Sequence, residues 1–240
     1  MNERLPSGAK PKAKSNANLP RDAATLIIVD RRADGPHVLF GKRNASHRFM
    51  PNKFVFPGGA VEAADRRVAA LTPLAAAVEA KLNLQARRPS KSLARALALA
   101  AIRETFEETG LVIGEPCERA RAAPGPWGAF HAHGFAPALH ALDYLARAIT
   151  PPGRSKRFDA RFFVVDGAHV KAQAPGIVHE GAELTELVWR PLAEADTLDL
   201  PGITRMVLAD LRAALAEGFA PERARPFYRE VRGTYRRELV

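Results

Sequence analysis

The chain has 240 residues, 47% hydrophobic and 26% charged, a balance that supports a globular core without disulfides or structural zinc. Cys117 is the single cysteine, which excludes an intramolecular disulfide and a cysteine-rich zinc site and fits a reducing cytoplasm. The formal net charge of +10 favours polyanionic partners: nucleic acid, acidic lipid or a small molecule carrying several phosphates.

Residues 1–20 are polar and rich in Lys, Asn, Ser and Pro, and read as a disordered basic tail without the apolar centre of a secretory signal. No apolar run approaches the roughly 18 residues that span a bilayer, so no membrane partner is expected. Order should begin near Ala23, within a single domain over 21–217. Ala24 to Val29 is a continuous apolar, β-branched run, the pattern of a buried strand. Turn chemistry at 32–36 leads into a second strand over 37–43, and Phe54-Val55-Phe56 is a third, stopped by Pro57-Gly58-Gly59. Pro73 to about Asn83 carries Leu74, Val78 and Leu82 at four-residue spacing, a short helix. Ser92 is a candidate cap for a long helix from Leu93 to about Glu108, ending at Gly110. The stretch 136–148 reads as helical and 161–165 as a strand. Glu186 to Trp189 reads as a last strand, followed by a helix start near 191–195 and a C-terminal helix over 202–217. Residues 218–240 form a basic C-terminal extension with six arginines and three glutamates. The uneven alternation of strands and helices, with an early hairpin, points to a mixed sheet flanked by helices.

The chemistry concentrates at 103–111, Arg-Glu-Thr-Phe-Glu-Glu-Thr-Gly-Leu. Glu104, Glu107 and Glu108 are spaced i, i+3, i+4 and project from one helix face, opposite Phe106. Three crowded carboxylates near a helix C-terminus oppose one another and the dipole, and a divalent cation would remove both costs. Hard oxygen ligands of this kind select Mg²⁺ or Mn²⁺. On these residues alone, a solvated acidic face with an Arg103–Glu107 ion pair is an equal reading.

Phe56-Pro57-Gly58-Gly59 upstream and the 103–111 run together resemble the two halves of the Nudix box, so the sequence is similar to the Nudix hydrolase family. Gly59 plus five residues leads to Asp65, where the family has glutamate. Thirty-seven residues, rather than seven, separate Asp65 from Arg103, and Thr105 fills an apolar slot. A branch similar to the peroxisomal coenzyme A diphosphatases of animals carries a comparable insertion. Its surroundings look like those at Phe49-Met50-Pro51, 63–65, 149–151 and 157–163 here.

The resemblance implies an α/β fold, an α/β/α sandwich with a mixed β-sheet, and makes 66–96 a helical insertion within the box. It implies that Glu107 and Glu108, joined by Glu104 and the Gly59 carbonyl, hold Mg²⁺ or Mn²⁺ and that Arg103 orients a carboxylate. Asp65 then supports the loop. The general base could come from Glu104 or Glu108, or from the loop with Glu180 and Glu183, of which Glu183 is the choice. Arg43, Arg48 and Phe56-Pro57-Gly58-Gly59 also follow the register of a coenzyme A diphosphatase motif. The departures are Gly41 for threonine, Asn44 for a small residue and Asn52 for glycine. Arg43 and Arg48, with Arg157 from a second basic cluster, are the expected substrate-binding residues, since guanidinium grips phosphate bidentately.

The expected activity is metal-dependent hydrolysis of a small-molecule diphosphate, coenzyme A or a derivative foremost. Capped RNA ends are a less favoured substrate, and a non-catalytic nucleotide-binding module is the third reading. The family also allows a homodimer. His131 and His133, two residues apart, do not share a helix face and are not expected to bind metal.

Overall fold

The computed structural model describes residues 19–47, 50–118, 125–220 and 222–240. The sequence-predicted tail over 1–20 lies almost wholly outside them, as does Arg48. In chain order the strands and helices are β1 (Arg21–Arg32), β2 (Gly35–Arg43), β3 (Phe54–Val55), β4 (Gly58–Ala60), α1 (Ala76–Asn83), α2 (Lys91–Thr109), β5 (Leu111–Ile113), β6 (Glu115–Pro116) and α3 (Pro126–His131). They continue with β7 (Phe135–Ala136), β8 (Asp143–Ile149), β9 (Phe158–Asp166), β10 (Val170–Gln173), β11 (Leu184–Pro191), α4 (Gly202–Glu217), β12 (Pro226–Val231) and β13 (Thr234–Leu239).

Among the described residues the main sheet has nine strands in the order β11-β2-β1-β9-β8-β12-β13, with β3 beside β2 and β4 beside β1. β1 runs parallel to β9 and β8 parallel to β12, while the other pairs are antiparallel, so the sheet is mixed. Helices cover both faces, giving the α/β/α sandwich. Ala24, Leu26 and Ile28 of β1 pack with α2 on one face, and Ile27 and Val29 pack with α4 on the other. A strand buried on both faces needs a continuous apolar run, which is why 24–29 lacks alternation.

Several expectations are corrected. The helix reading of 136–148 fails: this stretch is the end of β7, a 3₁₀ turn at Leu139–Ala141, and β8. Its Ala and Leu content favours helix locally, but pairing with β9 decides the outcome. Tyr144 faces the α2 side, and Leu145 and Ala148 face the α4 side. The long helix begins at Lys91, and its cap is Ser90 rather than Ser92. Ser90 is extended, its hydroxyl accepts from Leu93 N at 3.0 Å, and its own N–H donates to Asn83 Oδ1 at 2.8 Å. The strand containing Glu186 is not the last, because β12 and β13 extend the sheet beyond β8, with Phe227 and Tyr228 buried. Among the described residues no helix is long and apolar enough to cross a membrane.

Candidate active site

Two segments meet at the edge of β1. β4 lies antiparallel along Ala23–Thr25, and the C-terminal turns of α2 pack beside it. A side chain on Gly58 would run into the Ala24 carbonyl and Thr25, and one on Gly59 would overlap the Glu104 carboxylate. Glycine is therefore required at Gly58 by the close approach of the β1 backbone, and at Gly59 a side chain would displace the Glu104 carboxylate. Gly110 ends α2 in the left-handed conformation, φ +76°, with the Ala174 carbonyl against the space a side chain would need. Phe106 turns to the core, edge-on to Phe130 at 5.5 Å, so the glutamates face the other way. Thr105 in its apolar slot is fully buried but satisfied, donating to the Ala101 carbonyl at 2.8 Å.

Arg103 organises the acidic cluster. It is 2% exposed, and Asp65 beneath it is completely buried. Its Nε donates to Asp65 Oδ1 at 2.8 Å and its Nη2 to Asp65 Oδ2 at 3.1 Å and to the Ala60 carbonyl at 2.9 Å. Its Nη1 lies 2.9 Å from Glu104 Oε1 and 2.5 Å from Glu107 Oε2. Asp65 also accepts from Glu62 N at 2.8 Å and from Trp127 Nε1 at 3.2 Å. Burial alone would loosen the Arg103 proton. The Asp65 hydrogen bond and the charges of Glu104, Asp65 and Glu107 more than reverse this. Trp127 is buried in the core and also fixes Asp65. An aspartate reaches this arrangement where the family has the longer glutamate.

Glu108 accepts from Gly58 N at 3.0 Å, joining α2 to β4. Burial holds its carboxyl well above the ordinary range, and the charges of Glu183 and Glu104 add to this against the Gly58 N–H and Arg43. Glu104 is pushed up to about 7, chiefly by burial, with Glu107 and Glu183 adding to it and Arg103 opposing. Glu107 is raised by burial against the pull of Arg103. Glu183 therefore lies within the electrostatic reach of Glu104 and Glu108, although it is distant from them in sequence.

The loop bearing Glu183 is held by β2. Arg43 Nη1 pairs with Glu183 Oε1 at 2.9 Å. Asn44 Nδ2 donates to the Glu180 carbonyl at 2.7 Å and the Ala182 carbonyl at 3.1 Å, and Asn44 N donates to the Glu183 carbonyl at 3.0 Å. The departure at Asn44 thus has a structural purpose that its sequence context did not reveal. The other two departures also have physical reasons. Asn52 adopts φ +60°, which asparagine tolerates, and Gly41 leaves room for the Leu184 side chain. Arg157 sits at the turn between β8 and β9, its Nε donating to the Thr150 carbonyl at 3.0 Å. Arg103, Glu104, Glu107, Glu108, Gly59, Glu183 and Arg43 are thus brought to one place, and Arg157 belongs to a neighbouring turn.

Among the described residues no three His, Cys, Asp or Glu side chains are grouped to hold a metal ion as they stand. Arg103 draws in Glu104 and Glu107, and the Gly58 N–H draws in Glu108. The donor set nonetheless suits a hard cation. Glu108 is buried and Glu104 and Glu107 are partly buried, each is raised above its ordinary pKa, Glu104 lies against Gly59, and Glu108 meets the Gly58 amide.

A mixed-sheet sandwich with a loop–helix–loop of this kind defines a Nudix-type α/β scaffold. The chain is similar to the acyl-coenzyme A diphosphatase NUDT19 of Gallus gallus, 26% identical over 237 residues. That match takes in 73% of this chain, which spans only 62% of the chicken protein's length. Its fold is similar to the crystal structure of a Nudix hydrolase from Alicyclobacillus acidocaldarius. Identity there is 28% and the TM-score 0.61, over 85% of this chain and 99% of that one. No family model matches the chain. The chain is similar to Nudix hydrolases in sequence and fold, and it resembles the coenzyme A diphosphatase branch.

Proposed function

We propose that the chain is a divalent-metal-dependent pyrophosphohydrolase that cleaves the diphosphate of coenzyme A or its thioesters by water attack on phosphorus, in a reducing cytoplasm. The observation that carries this reading is the meeting of Glu104, Glu107 and Glu108 with Gly58-Gly59 on one side and Glu183 on the other. The motif register at Arg43 and the likeness to an acyl-coenzyme A diphosphatase favour coenzyme A over other nucleotide derivatives.

Glu104, Glu107, Glu108 and the Gly59 carbonyl would hold Mg²⁺ or Mn²⁺, which supplies charge neutralisation of the diphosphate and a lowered pKa for water. Arg103, locked by Asp65, fixes Glu104 and Glu107. The side-chain-free strand at Gly58-Gly59 lets a diphosphate lie against the backbone. Glu183, steered by Arg43, accepts the proton of the attacking water at its carboxylate. Arg43 and Arg157, with Arg48, supply guanidinium contacts to substrate phosphate.

The test is a panel assay with Mg²⁺ or Mn²⁺ on coenzyme A, acyl-coenzyme A, NADH, ADP-ribose, diadenosine polyphosphates and capped RNA, with products identified by mass. Coenzyme A and its thioesters should give the highest kcat/KM. Glu107→Gln and Glu108→Gln should each lower kcat by roughly 100-fold or more, a loss of several kcal/mol of charge stabilisation. Both should stay folded without metal. Full turnover in both variants would remove the assigned role.

A further inference from the structure

Three arginines line one pocket where the inserted segment meets the start of β1. Arg21, Arg66 and Arg87 line a pocket of about 330 Å³ together with Asp22 and Val61. Arg21 opens β1, Arg66 directly follows the buried Asp65, and Arg87 lies in the loop between α1 and α2. All three are exposed, and no side-chain hydrogen bond or ion pair ties them to another described residue. The carboxylate in the lining, Asp22, is already engaged by Arg161 Nη1 at 3.0 Å, and Arg161 is 1% exposed. The lining therefore holds three cations against one carboxylate that is already paired, an excess of positive charge that an anion would relieve.

The pocket adjoins the box. Val61 N donates to the Asp22 carbonyl at 2.9 Å, continuing the pairing of β4 with β1 by one residue beyond Ala60. The volume is at the low end of the roughly 300–1,000 Å³ of small-molecule sites, suited to one phosphate and its surroundings rather than to a whole nucleotide. Guanidinium groups on separate segments suit the planar, bidentate recognition of phosphate oxygens.

We propose that Arg21, Arg66 and Arg87 form a subsite for a phosphate monoester, the extra phosphate of a substrate whose diphosphate lies at Gly58-Gly59. The inserted segment is thereby a specificity element, since it contributes two of the three arginines. The inference rests on the proposed function for the placement of the diphosphate, while the anion site itself can be tested without turnover.

The binding test is calorimetric titration of the full chain with adenosine 3′,5′-bisphosphate and with AMP, neither of which contains a diphosphate. The chain should prefer the bisphosphate by about tenfold or more, the yield of one charge-assisted contact. Arg66→Ala/Arg87→Ala should abolish that preference. Arg67→Ala/Arg88→Ala removes the same charge from neighbouring positions outside the lining and should keep it. Equal affinity for the two ligands in the unaltered chain, or equal loss in both double variants, overturns the proposal.

In turnover, Arg66→Ala/Arg87→Ala should raise KM for coenzyme A with kcat unchanged, and leave KM for dephospho-coenzyme A unchanged. Bisphosphate preference that depends on Arg66 and Arg87, in a chain that cleaves no diphosphate, would sustain the subsite and defeat the proposed activity. Intact coenzyme A hydrolysis without that preference would do the reverse.

Discussion

Asp65 has no access to solvent and faces Arg103, which is almost as deeply buried. Both Arg103–Asp65 hydrogen bonds, the Trp127 indole and the Glu62 amide meet on one carboxylate. Removing one member of a buried ion pair leaves the other charge without compensation, which costs about 3–5 kcal/mol. Asp65→Ala should therefore lower unfolding stability by that amount in urea titrations. It should also lower activity in whatever fraction remains folded, because Arg103 loses the support that aims it at Glu104 and Glu107. A variant as stable as the parent would show that Arg103 can be satisfied without Asp65.

At the scale of elements, the site is the joint of α2, β4 and the loop that enters β11. Asn44 is the tie on the third of these. Its side-chain hydrogen bonds are each worth about 0.5–1.5 kcal/mol, little against the whole fold. They set where Glu183 stands, however, and a displacement of about 1 Å can cost up to roughly 100-fold in rate. Asn44→Ala should lower kcat by roughly ten- to 100-fold while shifting the thermal midpoint by only a few degrees. Parallel kinetics and melting would separate this outcome from general loosening.

The same joint shows what could be read in the sequence. The helix face of Glu104, Glu107 and Glu108 and the stops at Gly58-Gly59 and Gly110 follow from local periodicity and turn chemistry. So does the buried run of β1. The Asp65–Trp127 contact and the hold of Asn44 on the loop at 180–183 join residues far apart in the chain, and no local pattern records them. β8 was hidden for a related reason, because its Ala-Leu-rich sequence has helical propensity and only its pairing with β9 makes it a strand.

For the whole molecule, the acidic cluster is a burden when no cation is present. Glu104 titrates near 7 in the folded chain against an ordinary value of 4.5, chiefly because it is buried. Below pH 4.5 both states hold its proton. Between 4.5 and about 7 the unfolded chain gives the proton up while the folded chain keeps it, so stability falls as pH rises and levels off above 7. The loss is on the order of 3 kcal/mol at most. Urea midpoints of the metal-free protein should decline across this window, and Glu104→Gln should flatten the slope. Identical slopes for parent and variant would contradict the assignment.

The ion pair between Asp22 and Arg161 joins residues 139 positions apart, across the parallel contact of β1 with β9 at the centre of the sheet. Long-range parallel pairing is slow to form, because loop-closure entropy must be met before any contact compensates it. α2 can coil early, since its stripe and cap are local. Gly58 and Gly59 reach their place only once β1 is seated, and Glu183 only once β11 joins β2. During refolding, helical structure should therefore precede assembly of the site, with far-UV circular dichroism recovering before the Gly58–Glu108 contact forms.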